Sequence, residues 1–125
     1  MGAGALNQKE FLDIFSEGEI LYCQGKFAEA KEKFSRLARD YDEEMAVQNY
    51  LGLIKLELGE YQDAIVNFAR AGELLSFAEL EKKDSAKRQL VFSLNRAVCF
   101  QLLEDNYNAL DLLMRALVKY LEDDA

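Results

Sequence analysis

Few residues in this sequence are of types that do chemistry. There is no histidine, and the two cysteines, Cys23 and Cys99, lie far apart in the chain. Without histidine, neither a Ser–His or Cys–His nucleophile pair nor a histidine metal site can form. The acidic residues within 40–44 lack the alternating ligand spacing of a calcium loop, and no glycine-rich phosphate-binding loop occurs. The sequence therefore predicts a protein that is not an enzyme and that needs no metal or cofactor.

Composition favours a helical chain that binds neither nucleic acid nor membrane. Half of the 125 residues are apolar, 30% are charged and none is proline, a residue that breaks helices. The net charge of −8 repels phosphate backbones and anionic lipid. No apolar run approaches the ~20 residues that span a bilayer, and no leader opens the sequence. We therefore expect a cytoplasmic protein with two free thiols.

An internal repeat organises the chain. Three sets of residues share offsets of 12, 16 and 19 from their first member. The sets are Gly18, Ala30, Phe34 and Leu37; Gly52, Ala64, Phe68 and Ala71; and Ala97, Ala109, Leu113 and Ala116. The first two sets lie 34 residues apart, and the third follows after 45, which is 34 plus an 11-residue insertion. The small residues let two antiparallel helices approach closely, and the aromatic or leucine fills the space beside the contact.

Turn residues predict where the helices end. Gly25 and Gly59 also repeat at 34, and glycine adopts the left-handed capping conformation without strain. We predict six helices, over residues 8–24, 27–40, 43–58, 61–80, 85–103 and 106–122. Asp42 is predicted to cap the third helix, and Asp84 or Ser85 the fifth. Cys99 aligns with apolar positions of the other repeats, so we place it in the core.

The repeat resembles the tetratricopeptide repeat (TPR) family, whose signature includes Leu-Gly followed by Ala-x3-Phe-x2-Ala. The second repeat matches it in full, from Leu51 to Ala71, and its Gly59-Glu60-Tyr61 turn is also typical of the family. The first repeat has Glu17 in place of the leucine, and the third has Arg96. The resemblance is specific for the fold and says little about the partner.

The resemblance implies an all-α solenoid of three antiparallel helix pairs in a right-handed superhelical stack. The domain would span residues 8–125, after a flexible segment over 1–7. Its repeats would occupy residues 11–44, 45–78 and 90–123. The insertion, 79–89, is charged and lacks glycine and proline, so we expect it to extend the fourth and fifth helices. It is either a solvated charge run or a projecting hairpin that contacts a partner.

In the TPR family, the first helix of each repeat lines a concave groove that holds an extended peptide or a partner helix. The resemblance places twelve residues in this groove: Leu12, Phe15, Glu19, Tyr22, Ala46, Asn49, Leu53, Leu56, Val91, Leu94, Val98 and Gln101. Nine of them are apolar or aromatic, so the groove would bury apolar side chains, at roughly 1.5–3 kcal/mol for each large one. Asn49 and Gln101 would fix the register of the partner. Alternatively, some of these residues pack onto neighbouring repeats or onto the N-terminal segment.

One class of partner is predicted not to bind. Some TPR proteins hold the acidic C-terminal tails of cytosolic heat-shock chaperones in a clamp of lysines and asparagines. The corresponding positions here are Phe15, Glu19, Tyr50, Val91 and Asn95, of which only Asn95 suits that role. Glu19 would repel an acidic tail.

The last predicted helix is unusually apolar. At 100° per residue, its polar residues between Asn108 and Glu122 form one stripe only about 80° wide. We predict a second interface formed by Leu110, Met114, Leu117, Val118 and Leu121. It would be a symmetric homodimer contact or the seat of a partner helix. The alternatives are an apolar end that collapses inward, or the end of a piece cut from a longer solenoid.

The leading functional hypothesis is an adaptor or scaffold that grips a peptide or helix with apolar side chains in the groove. The second hypothesis is a chaperone that shields an apolar segment of a secreted or membrane client. The chain resembles the secretion chaperones of bacterial type III systems in its size, acidity and number of repeats.

Overall fold

The computed structural model describes residues 5–75 and 82–124, and every regular element in that part of the chain is α-helical. The helices are α1 (Gln8–Cys23), α2 (Phe27–Asp40), α3 (Met45–Glu57), α4 (Tyr61–Leu75), α5 (Lys82–Leu102) and α6 (Asn106–Asp124). Each helix packs against the next one along the chain. The predicted all-α architecture of six helices is confirmed.

The core is a series of clusters between successive helices. The first joins α1 and α2 to α3 and includes Phe34, Leu37 and Ile54, all fully buried. Further along, Cys99 of α5 packs with Phe68 of α4. Cys99 is fully buried, so its predicted place in the core is confirmed.

Small residues allow the two helices of a pair to approach closely. A Cβ atom added at Gly52 would lie 2.7 Å from the buried ring of Phe68, and the first pair repeats this contact. Alanine is therefore excluded at this position as long as phenylalanine stands opposite. The third pair carries Ala97 here, and the residue sixteen positions later is the smaller Leu113.

The three turns within the pairs share one backbone motif. Gly25 and Gly59 have φ values of 77° and 81°, and Glu104 has a φ of 62° at the equivalent place in the third turn. After Glu104, the N–H of Asp105 donates to the carbonyl of Phe100 at 2.8 Å, and the glycine turns contain the same bond. These bonds satisfy helix carbonyls that would otherwise lack partners.

The predicted cap of the third helix is wrong. Glu44 is the N-cap residue of α3, and its side chain makes no capping hydrogen bond. Asp42 lies in the preceding turn, where its backbone carbonyl accepts a hydrogen bond from Nε2 of Gln48 at 3.0 Å. A side chain within α3, that of Gln48, therefore stabilises the turn, and the N-cap residue makes no capping hydrogen bond with its own side chain.

The predicted cap of the fifth helix is also wrong. Because α5 already includes Lys82, both Asp84 and Ser85 lie inside the helix. Residues 82–89 of the predicted insertion belong to α5. The predicted extension of the fourth helix over 76–80 lies outside the described residues.

The segment before α1 is anchored, in contrast to the flexible segment predicted over 1–7. Asn7 caps α1 by accepting the N–H of Glu10 at 2.8 Å, and the Glu10 carboxylate accepts the N–H of Asn7 at 3.1 Å. Leu6 is buried; its N–H donates to the Asp40 carboxylate at 2.9 Å, and its carbonyl accepts the Tyr41 hydroxyl. Residues 6 and 7 are therefore in contact with the first helix pair, while residues 1–4 lie outside the described part.

Candidate functional site

The third helix pair presents the clearest exposed part of the predicted groove. Val91, Leu94 and Val98 on α5 each expose between 40% and 50% of their surface, and Gln101 is exposed beside them. At 100° per residue, the three apolar side chains occupy one narrow face of the helix. The structure therefore brings four predicted groove residues together on one surface.

The rest of α5 explains why this face is free. Phe92 and Cys99 each follow a valine of this face by one residue, which places them about 100° around the helix, where they pack against α4. Leu102 extends the exposed apolar face by one further turn from Val98 and is 49% exposed. We call Val91, Leu94, Val98 and Leu102 the α5 stripe. Leu102 was missed as a groove residue, although its spacing of four residues from Val98 is a sufficient signal.

On α1, most of the predicted groove residues are engaged within the protein. Leu12 is exposed, whereas Phe15, Glu19 and Tyr22 are half-buried. All three contact Tyr50 of α3: the ring centroids of Phe15 and Tyr22 lie 5.5 and 5.7 Å from that of Tyr50, in edge-to-face geometry. Tyr50 also stacks on Phe34 with centroids 4.7 Å apart. Phe15, Tyr22, Phe34 and Tyr50 thus form an aromatic wall, which is less accessible than the α5 stripe.

The same wall contains a polar contact. The Tyr50 hydroxyl donates to the Glu19 carboxylate at 2.7 Å. Burial, followed by this hydrogen bond and the negative charge of Glu19, raises the pKa of Tyr50 to about 12. The phenol therefore stays protonated at neutral pH and continues to donate to Glu19, whose carboxylate is held against α3.

On α3, the predicted groove residues have two roles. Leu53 and Leu56 are half-buried and pack against the cluster that contains Phe68 and Cys99. Asn49 is half-buried, and its Oδ1 is buried without a hydrogen-bond partner within the described part of the chain. Leu53 and Leu56 therefore contribute part of their surface to the core.

The second predicted interface is exposed on α6. Every one of its five residues exposes between 48% and 66% of its surface; they are Leu110, Met114, Leu117, Val118 and Leu121. Only Ala109 is buried among the residues of α6 whose side chains the structure describes.

Other features of the described residues lie outside the predicted groove. A hollow of about 600 Å³ lies beside α2, outside the predicted groove, and the ion pair between Lys31 and Glu60 at 2.7 Å lines it. Within residues 5–75 and 82–124, no group of three potential metal ligands occurs. Burial raises the pKa of the Cys99 thiol, which makes it less reactive, and Cys23 is an exposed free thiol. None of the described helices is both long and apolar enough to cross a membrane.

Comparison with known proteins identifies the fold. No protein-family model and no curated protein sequence matches the chain. Among solved structures, it is similar to the N-terminal domain of stress-induced protein-1 (STI-1) from C. elegans, with a TM-score of 0.73 and 16% identity. The match covers 96% of this chain and all of the other. At this identity the similarity concerns the fold alone, and it supports the predicted all-α architecture of packed helix pairs.

Proposed function

We propose that this chain is a non-enzymatic protein-interaction module, an adaptor or scaffold, that binds an apolar segment of a partner on the face formed by α1, α3 and α5. The observation that carries the proposal is the α5 stripe, whose four side chains stay 40–50% exposed although α5 packs against two other helices. Exposed apolar side chains clustered on one surface are typical of interaction sites.

The size of the stripe suggests the strength of the contact. Completing the burial of four half-exposed side chains contributes roughly 3–6 kcal/mol, and the partner's own side chains add a similar amount. Association costs offset a large part of this, so the expected affinity is of micromolar order. The partner segment would carry two or three large apolar residues. Neutral or basic flanks would suit it, because this chain has a net charge of −8.

The proposal is tested by placing a charge in the stripe. Val98→Glu introduces a carboxylate that a bound apolar segment would have to bury. The matched control is Val66→Glu, because Val66 is also an exposed valine but lies on α4. Tagged wild type and both variants are used to capture proteins from the native cells, and the captured proteins are quantified by mass spectrometry. We expect Val98→Glu to lose the partner and Val66→Glu to keep it.

Leu53 is a poorer position for this test. Because Leu53 packs against the buried cluster around Phe68, a glutamate there would also destabilise the fold. Leu94→Glu serves as the second stripe variant. Undiminished capture by both folded stripe variants would show that the partner binds elsewhere and would refute the proposal.

The captured proteins also distinguish an adaptor from the alternative, a chaperone of a secreted or membrane client. An adaptor recovers folded soluble partners, whereas a chaperone recovers one client rich in apolar or membrane-inserting segments. Both use the same surface, so the Val98→Glu variant tests the site in either case.

A further inference from the structure

Five of the six exposed large apolar residues of α6 follow a regular pattern. Tyr107, Leu110, Met114, Leu117 and Leu121 are separated by three, four, three and four residues. This alternation is that of the two apolar positions of a heptad, and it places the five side chains on one narrow face of the helix. Each exposes between 48% and 79% of its surface. We call these five residues the α6 seam.

On α4, the face that corresponds to the α6 seam is covered by the next helix. Counting back 45 residues, Leu110, Met114 and Leu117 correspond to Ile65, Ala69 and Gly72. The next helix, α5, lies on this face: Gln89 donates from Nε2 to the carbonyl of Gly72 at 2.8 Å, and Ile65 packs against the cluster containing Cys99.

The α6 seam differs from that face in the size of its residues. Ala69 and Gly72 of α4 leave room for α5 to come close, and a Cβ atom added at Gly72 would lie 3.2 Å from Gln89. At the equivalent positions α6 carries methionine and leucine. A helix that packs as closely as α5 does on α4 would collide with them. The seam instead suits a helix that stands further away and interdigitates its own large side chains.

A second copy of this chain supplies such a helix. A row of large apolar side chains at heptad spacing is complementary to itself, because each side chain can fill the space between side chains of the other helix. A shallow hollow of about 480 Å³ lies at the edge of the seam, where Met114 and Val118 meet the charged residues Arg115, Lys119 and Glu122.

The charges beside the seam also permit contact between two copies. The polar stripe next to it carries Asp111, Arg115, Lys119 and Glu122, with an ion pair between Asp111 and Arg115 at 3.0 Å. Two acidic and two basic residues give this stripe no net charge, whereas the whole chain has −8. Two copies therefore meet less like-charge repulsion here than an average part of their surfaces would impose.

We propose that this chain forms a symmetric homodimer in which the α6 seam of one copy packs against the α6 seam of the other. Five large side chains exposed on one helix face form an apolar patch of roughly 400–600 Å², the upper range for a monomer. Two such patches bury about 1,000 Å², the lower limit of specific interfaces, so the dimer is of micromolar strength. This surface is separate from the α5 stripe.

Sedimentation of the full chain tests the proposal. We expect wild type to be largely dimeric at about 100 μM and to dissociate on dilution, with a melting temperature that rises with protein concentration. Met114→Glu and Leu110→Glu, both at exposed positions, should each weaken the dimer about 30-fold or more. Val66→Glu adds the same charge on α4 and should leave the dimer intact.

Salt provides an independent measurement. Because each copy carries a net charge of −8, screening should strengthen the dimer between about 0.05 and about 0.3 M salt. A wild type that stays monomeric at about 500 μM, with a melting temperature independent of concentration, would overturn the proposal. So would a dimer that survives both seam variants, or one that Val66→Glu disrupts equally. If a variant fails to fold, the concentration dependence of wild-type melting still decides whether a dimer forms.

Discussion

Glu104 has the backbone conformation that a glycine adopts at the equivalent position of the other two turns. Its φ of 62° brings its Cβ close to the following carbonyl, which costs roughly 1–2 kcal/mol for a residue other than glycine. The turn is retained because Asp105 and Leu103 still donate to carbonyls of the last turn of α5. The sequence shows that this turn has no glycine, whereas only the structure shows that the turn keeps the same backbone hydrogen bonds without one.

Replacing Glu104 with glycine should stabilise the protein. Relief of the left-handed strain outweighs the extra entropy that glycine has in the unfolded chain, so we expect a gain of about 0.5–1 kcal/mol in the free energy of unfolding. Urea denaturation measures it. The reciprocal substitution, Gly59→Ala at a φ of 81°, should lower the same free energy by about 1 kcal/mol. Equal stability of Glu104→Gly and wild type would mean that the third turn is not strained.

At the scale of helices, local signals predicted most of the architecture. α2 has the predicted bounds, and α1 and α3 end within one residue of their predicted ends. Those two ends were predictable because Gly25 and Gly59 follow α1 and α3 and mark where each helix stops. The start of α3 was predicted two residues too early. The hydrogen bond from Gln48 to the carbonyl of Asp42 depends on a side chain inside the helix, which capping rules do not consider.

Contacts between distant residues account for the other differences. Leu6 is anchored by Asp40 and Tyr41, 34 and 35 residues away, and no local pattern announces this contact. In the candidate site, the resemblance to the TPR family placed Val91, Leu94 and Val98 in a groove, and these side chains are exposed on α5. The aromatic wall was not predicted, since it depends on the ring of Tyr50 reaching α1 from the next repeat.

Tyr50 connects α1 to α3, and this connection should fail at high pH. Because folding raises its pKa from about 10 to about 12, the unfolded chain loses this proton first. The contribution of Tyr50 to stability is therefore complete below pH 10 and is lost as the pH rises toward 12. In urea denaturation, we expect wild type to lose more stability over this interval than Tyr50→Phe does. At neutral pH, Tyr50→Phe should be less stable by about 1 kcal/mol, since its hydrogen bond to Glu19 is missing.

Tyr120→Phe is the matched control, because Tyr120 is a half-buried tyrosine of α6 that belongs neither to the α6 seam nor to the aromatic wall. Its stability should follow that of wild type over the whole pH range. If Tyr50→Phe and wild type lose stability in parallel between pH 10 and 12, the hydrogen bond to Glu19 does not link folding to the tyrosine proton.

At the scale of the whole molecule, the two proposed surfaces have different roles: the α5 stripe would bind a partner, and the α6 seam would bind a second copy of the chain. The α5 stripe lies on the first helix of the third pair and the α6 seam on its second helix, and the two share no residue. If the α5 stripe stays free in a homodimer through α6, the dimer presents two copies of it. Two linked sites raise the avidity for a partner that carries two apolar segments.

At the same scale, the net charge of the chain predicts a class of peptides that does not bind. A peptide ending in several acidic residues and a free carboxylate would approach a chain with a net charge of −8. The predicted clamp positions offer it no lysine, and Glu19, held by Tyr50 at 2.7 Å, places a further negative charge there. Val91 at another clamp position is apolar, which leaves Asn95 as the only suitable donor among them.

We expect no saturable heat of binding in isothermal titration calorimetry at peptide concentrations up to about 1 mM. An uncharged peptide of the same length, with its acidic residues replaced by glutamine, controls for nonspecific heat. Micromolar binding of the acidic peptide that disappears in Asn95→Ala would show that a clamp exists despite the acidic surroundings.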